Sequence, residues 1–101
     1  MCIDKFDRNG QPIPFAEWGE LFNNIDNRRI GWTELPDGKR VSTVWIGICH
    51  NYQDHDDNHH LIFETMVFPP ESMHEIDCER YSNEQDAKLG HELMVAKWSK
   101  A

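Results

Sequence analysis

The most ligand-rich stretch of this 101-residue chain is His50-Asn51-Tyr52-Gln53-Asp54-His55-Asp56-Asp57-Asn58-His59-His60. Imidazole nitrogens and carboxylates are good ligands for zinc, nickel or copper, and a loop that folds back could carry His55, His59 and His60 to one ion. Composition alone does not select that reading. A catalytic metal needs ligands steadied by packing and outer hydrogen bonds, and this run has neither a hydrophobic anchor nor a helical pattern to provide them. A solvated connection between two strands accounts for the same residues. The expectation is a linking loop, in which His55, His59 and His60 are the residues to inspect for a metal, and no cofactor is expected.

Other reactive arrangements are tested by register. Asp4, Asp7, Asn9 and Gly10 resemble a calcium loop until Gly10 is set at the sixth position, which puts Lys5 first and Ala16 twelfth. A cation and a methyl group cannot serve there. A nucleophile needs a neighbouring base and an orienting acid, yet there is no G-x-S-x-G elbow and no cysteine-centred signature. Ser42 and Cys49 fall within a predicted strand. No glycine loop suited to cradling phosphates is present. Cys2, Cys49 and Cys78 are odd in number, widely spaced and without a C-x-x-C pair, so reduced thiols are expected, with Cys49 acting as a small buried hydrophobe.

Four residues remain as binding candidates: Trp32, Trp45, Glu64 and His91. Glu64 sits between Phe63 and Thr65 on an apolar segment. It is either a carboxylate in a perturbing environment or, as is commoner, one turned to an edge or to solvent. His91 lies on a helical stripe and reads as a core or boundary residue or, less often, a catalytic base. Trp32, Trp45 and Trp98 could stack around a nucleotide base, or could simply be core in so small a domain.

The elements that would position these residues can be read locally. Residues 1–14 hold Asp7-Arg8-Asn9-Gly10 and two prolines, a turn-rich lead-in. Phe15, Trp18, Leu21 and Phe22 recur at three and four, which predicts a short helix broken at Asn23-Asn24. Arg29 to Leu35 suits a strand, Pro36-Asp37-Gly38-Lys39 a hairpin turn, and Arg40 to Cys49 a central strand apolar on both faces. Gly47 marks a bulge or close packing there. Leu61 to Phe68 is a second long strand stopped by Pro69-Pro70, and it is expected to pair antiparallel with the first. A shorter strand is expected near Glu79-Arg80-Tyr81. Ser82-Asn83-Glu84-Gln85 has the form of a capping box. The stripe Ala87, His91, Met94, Val95 and Trp98 then predicts a C-terminal helix across one sheet face, with Gly90 in close backbone contact. The expected fold class is α+β: one domain, a mainly antiparallel sheet of three or four strands, a C-terminal helix on one face and a short N-terminal helix.

Hydrophobic residues make up 39% of the chain and include four Trp and five Phe. That is enough apolar surface to offset chain entropy, so the chain is expected to fold alone or as a small oligomer such as a homodimer. No run approaches the roughly 20 apolar residues that cross a bilayer, and the first residues lack a signal-peptide pattern, so the cytoplasm is the expected compartment and no membrane partner is expected. A net charge of −8 opposes direct nucleic-acid binding and favours a partner with a basic surface.

The runs Asp7-Arg8-Asn9-Gly10-Gln11-Pro12-Ile13, Ser42-Thr43-Val44-Trp45-Ile46-Gly47, Leu61-Ile62-Phe63-Glu64-Thr65-Met66-Val67-Phe68 and Glu79-Arg80-Tyr81-Ser82, with Gly90-His91-Glu92 after them, resemble a group of small proteins of bacteriophage and bacterial genomes. The resemblance spans almost the whole chain and implies a phage or prophage setting, but it brings no activity with it. Those proteins have a short glycine-rich connection where this chain has the His/Asp run. The leading expectation is a non-catalytic protein whose acidic surface inhibits a host factor, for instance a defence complex such as a CRISPR effector. The alternatives are a binder that sequesters a nucleotide and a metal-dependent enzyme built on the His/Asp loop.

Overall fold

The computed structural model describes residues 5–48 and 61–100, so the His/Asp run with His55, His59 and His60, and also Cys2 and Cys49, lie outside the described residues. The lead-in forms a ladder of its own, β1 (Lys5–Phe6) against β2 (Pro12–Ile13), antiparallel. Asp7 makes the turn: its Oδ1 accepts from the N–H groups of Asn9 and Gln11, each at 2.9 Å. This side-chain-to-backbone bonding is why aspartate favours turns.

α1 (Phe15–Asn23) begins after Pro14, and its aromatic stripe is moored at the end of the main sheet. The Trp18 ring stacks on Phe22 at 4.8 Å, and its indole N–H donates to the Ile46 carbonyl at 3.0 Å. Asn24 ends this helix and caps the next, α2 (Ile25–Arg28), by accepting from the N–H groups of Asp26 and Asn27. Asparagine suits that position because its short side chain reaches otherwise unpaired helix donors.

The main sheet has the order β3-β4-β5-β6, antiparallel throughout: β3 (Arg29–Glu34), β4 (Arg40–Trp45), β5 (Phe63–Phe68) and β6 (Asp77–Tyr81). The expected hairpin turn joins β3 to β4, with Gly38 at φ 94°. β4 is central, as expected, but stops at Trp45 and does not run to Cys49. Gly47, at φ 66°, turns the chain so that its carbonyl accepts from Phe6 N–H at 2.9 Å and its N–H donates to the Ile62 carbonyl. A Cβ there would lie 2.4 Å from the Trp45 ring.

Strand alternation divides the sheet into two faces. Val41, Thr43, Trp45, Phe63, Thr65 and Val67 point to one face and are fully buried. α3 (Glu84–Ser99) lies across that face, burying Ala87, His91 and Met94 of the predicted stripe together with Gly90. Full burial of an aliphatic or Phe side chain stabilises by about 1.5–3 kcal/mol, so this layer dominates folding. The helix begins one residue later than the capping-box reading implies. Asn83, not Ser82, is the N-cap, accepting from Asp86 N–H at 2.8 Å while donating to Asp86 Oδ2 at 3.0 Å. Gly90 closes the predicted contact with the sheet: a Cβ there would fall 2.2 Å from the Tyr81 hydroxyl.

Candidate functional site

Under α3 a chain of polar groups crosses three strands. His91 Nε2 meets Thr33 Oγ1 at 2.9 Å, His91 Nδ1 meets Thr43 Oγ1 at 2.7 Å, and Thr43 Oγ1 meets Thr65 Oγ1 at 2.5 Å. Thr43 and Thr65 are fully buried and His91 is 5% exposed. Burial holds the imidazole below its ordinary pKa, which keeps it neutral at physiological pH. Both ring nitrogens are occupied and Gly31 packs flat against the ring. The arrangement therefore ties the helix to β3 and β4. It leaves the imidazole no free nitrogen with which to act as a base.

Among the described residues, no helix lies across the opposite face as α3 does across the first, although α1 and α2 border it through Phe22 and Arg28. The strand registers arrange its side chains in cross-strand rows: Arg29, Val44, Glu64 and Arg80; then Trp32, Ser42, Met66 and Cys78; then Glu34, Arg40 and Phe68. Simple alternation would put Arg29 and Trp32, three residues apart, on opposite faces. A bulge between Arg29 and Gly31 inserts Ile30 and brings both to the same side. The Arg29 guanidinium lies 5.3 Å from the Trp32 ring, and that of Arg28 lies 4.8 Å from the Phe22 ring. Neither arginine forms an ion pair among the described residues.

These rows enclose a groove of about 390 Å³, lined by Phe22, Arg28, Trp32, Val44, Glu64 and Met66 among others. Phe68 and Met73 close one end, where the Arg40 guanidinium donates to the carbonyls of Pro69 and Ser72 at 2.9 and 2.6 Å and packs 5.5 Å from the Phe68 ring. Glu64 is 7% exposed on a central strand, which corrects the expectation of an edge or solvent-facing acid. Val44 and Arg80 flank it in its row. Its Oε2 accepts from Arg80 Nε at 2.9 Å and from Cys78 Sγ at 3.5 Å. Cys78 is exposed as a residue, yet desolvation of its thiol and then the adjacent Glu64 charge push it up to about 11, which favours the protonated thiol at neutral pH.

The predicted binding residues are thus distributed over both faces. Trp32 is 48% exposed on the open face and Glu64 lines the same groove, whereas Trp45 is 0% exposed in the core and His91 is locked beneath α3. Trp98 packs in the second core cluster and donates its indole N–H to Asp77 Oδ2 at 2.9 Å. Trp32, Trp45 and Trp98 therefore form no common stacking pocket. Sequence reading missed Arg28, Arg29 and Arg80. The signal available was only the strand positions of Arg29 and Arg80, which the bulge at Ile30 cancels for Arg29, while Arg28 ends α2. Among the described residues, no three His, Cys, Asp or Glu side chains converge as metal ligands. Compared with protein-family models, curated proteins and solved structures, the chain shows no match.

Proposed function

We propose that this chain is a non-catalytic binding protein that blocks a protein partner through the open face of its four-stranded sheet. One observation carries the reading. That face unites Trp32, Met66, Phe68 and Met73 with Arg28, Arg29 and Arg40, and Trp and Arg lead the residues that contribute most to binding at interfaces, with Phe and Met also enriched there. Met73 is 70% exposed, and its sequence neighbours Glu71 and Glu75 are exposed carboxylates. With a net charge of −8, they favour a target whose surface is basic. The resemblance to phage-genome proteins supports a host factor as that target. Support for a non-catalytic role comes from the face itself: Glu64 is tied to Arg80, and the Cys78 thiol is protonated.

The test is affinity capture from a bacterial lysate with three forms of the protein. They are the wild type, a Trp32→Ala/Met73→Ala variant, and a Leu89→Ala/Leu93→Ala control on the exposed side of α3. The expected result is one stoichiometric protein, retained by the wild type and the control and weakened roughly 30-fold or more by the open-face variant. Equal capture by the open-face variant would show that the sheet face is not the contact.

A further inference from the structure

The groove in the open face has features that a flat protein contact does not call for. A buried acceptor and a half-exposed indole line it, Arg28 lines it too, and Arg29 lies beside it over the Trp32 ring; neither arginine has an ion-pair partner among the described residues. We propose that this groove binds a free nucleoside monophosphate, with guanine preferred over adenine. The base would lie over Val44 and Met66 beside Trp32, its donor edge at Glu64 and its phosphate at Arg28 and Arg29. The inference rests on the open face being the ligand surface.

Three lines of geometry converge. A volume of about 390 Å³ falls within the range of small-molecule sites. Glu64 and Arg29 stand in one cross-strand row with only Val44 between them, so their backbones are roughly 10 Å apart at two strand spacings. Side chains rising from one row at that backbone separation can face the two ends of a mononucleotide. Glu64 also has capacity to spare. A carboxylate offers about four lone-pair sites, and Arg80 and Cys78 together use one oxygen. Guanine presents two adjacent N–H donors to such a group, whereas adenine would set its N1 acceptor against the carboxylate.

Charge decides between the two sources of this chemistry. A chain of net charge −8 repels an extended polyanion, while one phosphate can be met locally by two guanidinium groups. The proposal therefore commits to the free nucleotide over single-stranded nucleic acid.

Isothermal titration of the full chain with guanosine 5′-monophosphate tests this, with adenosine 5′-monophosphate, guanosine, inorganic phosphate and a guanine-containing single-stranded oligonucleotide as separate probes. Guanosine monophosphate should bind roughly tenfold or more tightly than either guanosine or the adenine nucleotide. Arg28→Ala/Arg29→Ala, a pair on the sheet rim whose thermal midpoint should not move, should reduce guanosine monophosphate to the affinity of guanosine. Glu64→Gln should abolish the preference for guanine. No saturable heat up to about 1 mM nucleotide, or binding indifferent to the two arginines, would overturn the proposal. Tighter binding of the oligonucleotide than of the mononucleotide would overturn the choice of ligand. If capture of a partner protein depends on Trp32 but nucleotide does not bind, this inference fails and the binding-face reading stands. If Trp32→Ala/Met73→Ala changes neither capture nor nucleotide binding, the face itself is rejected.

Discussion

His91 shows how one side chain can couple packing to pH. Its neutral ring bridges Thr33 and Thr43, and burial keeps its folded pKa below the ordinary value of about 6.5. Above that pH the imidazole is uncharged in both the folded and the unfolded chain, so it adds no pH dependence. As the pH falls below about 6.5 the unfolded chain takes up a proton first. Stability then declines until the folded pKa is passed. The thermal midpoint should therefore drop between pH 7 and pH 5 more steeply in the wild type than in His91→Gln. Parallel slopes for the two proteins would assign the drop to other groups. Glu64 makes a different point at the same scale. An acid within an apolar strand reads as solvent-facing, yet here it is buried because Arg80, the fourth residue of β6, supplies the compensating charge.

At the scale of elements, the contact between α3 and β6 depends on the absence of a side chain. Gly90 lies so close to Tyr81 that any Cβ would overlap the phenol ring. Gly→Ala in an exposed helix gains about 1 kcal/mol in propensity. Here overpacking of 1–3 kcal/mol opposes that gain, so Gly90→Ala should lower stability by about 1 kcal/mol in the wild type. In a Tyr81→Val background the ring is gone and the same change should be neutral or stabilising. A double-mutant cycle by urea denaturation measures this coupling, and additivity of the two changes would contradict the contact. Much of the element plan is local enough to be read from the chain. Pro36 to Lys39 encodes its turn, the Ala87-to-Trp98 stripe its helix, and Pro69-Pro70 its stop. The misread boundaries are also local. β4 ended early because Gly47 takes a positive φ to receive Phe6, and α3 started late because Asn83 and Asp86 satisfy each other across the first turn.

For the molecule as a whole, the net charge of −8 is not mirrored on the open face, where arginines stand among the carboxylates. Arg28, Arg29, Arg40 and Arg80 belong to or border that face together with Glu34 and Glu64, while Glu71 and Glu75 are exposed close to Met73 in the chain. Long-range attraction of a basic partner and short-range contact then use different groups. Raising ionic strength from about 0.05 to 0.5 M should slow association with the captured partner severalfold and leave its dissociation rate nearly unchanged. Surface plasmon resonance on the purified pair reads both rates. A salt effect confined to dissociation would mean that the contact is held by its charged pairs and that the apolar centre contributes little.

By itself the sequence determined the class of the fold, because periods of two and of three to four, turn residues and prolines act within a few positions of themselves. It also placed α3 on the sheet, through a stripe whose apolar and small residues have to be buried somewhere. What the tertiary structure alone decided is which face stayed open and what stands on it. Trp32 and Trp45 are similar in strand context, yet one is half-exposed and the other is core, because α3 covers only one side. The bulge at Ile30 and the pairing of Glu64 with Arg80 join residues on different strands. Such pairings depend on register across the sheet, which no local pattern along the chain specifies.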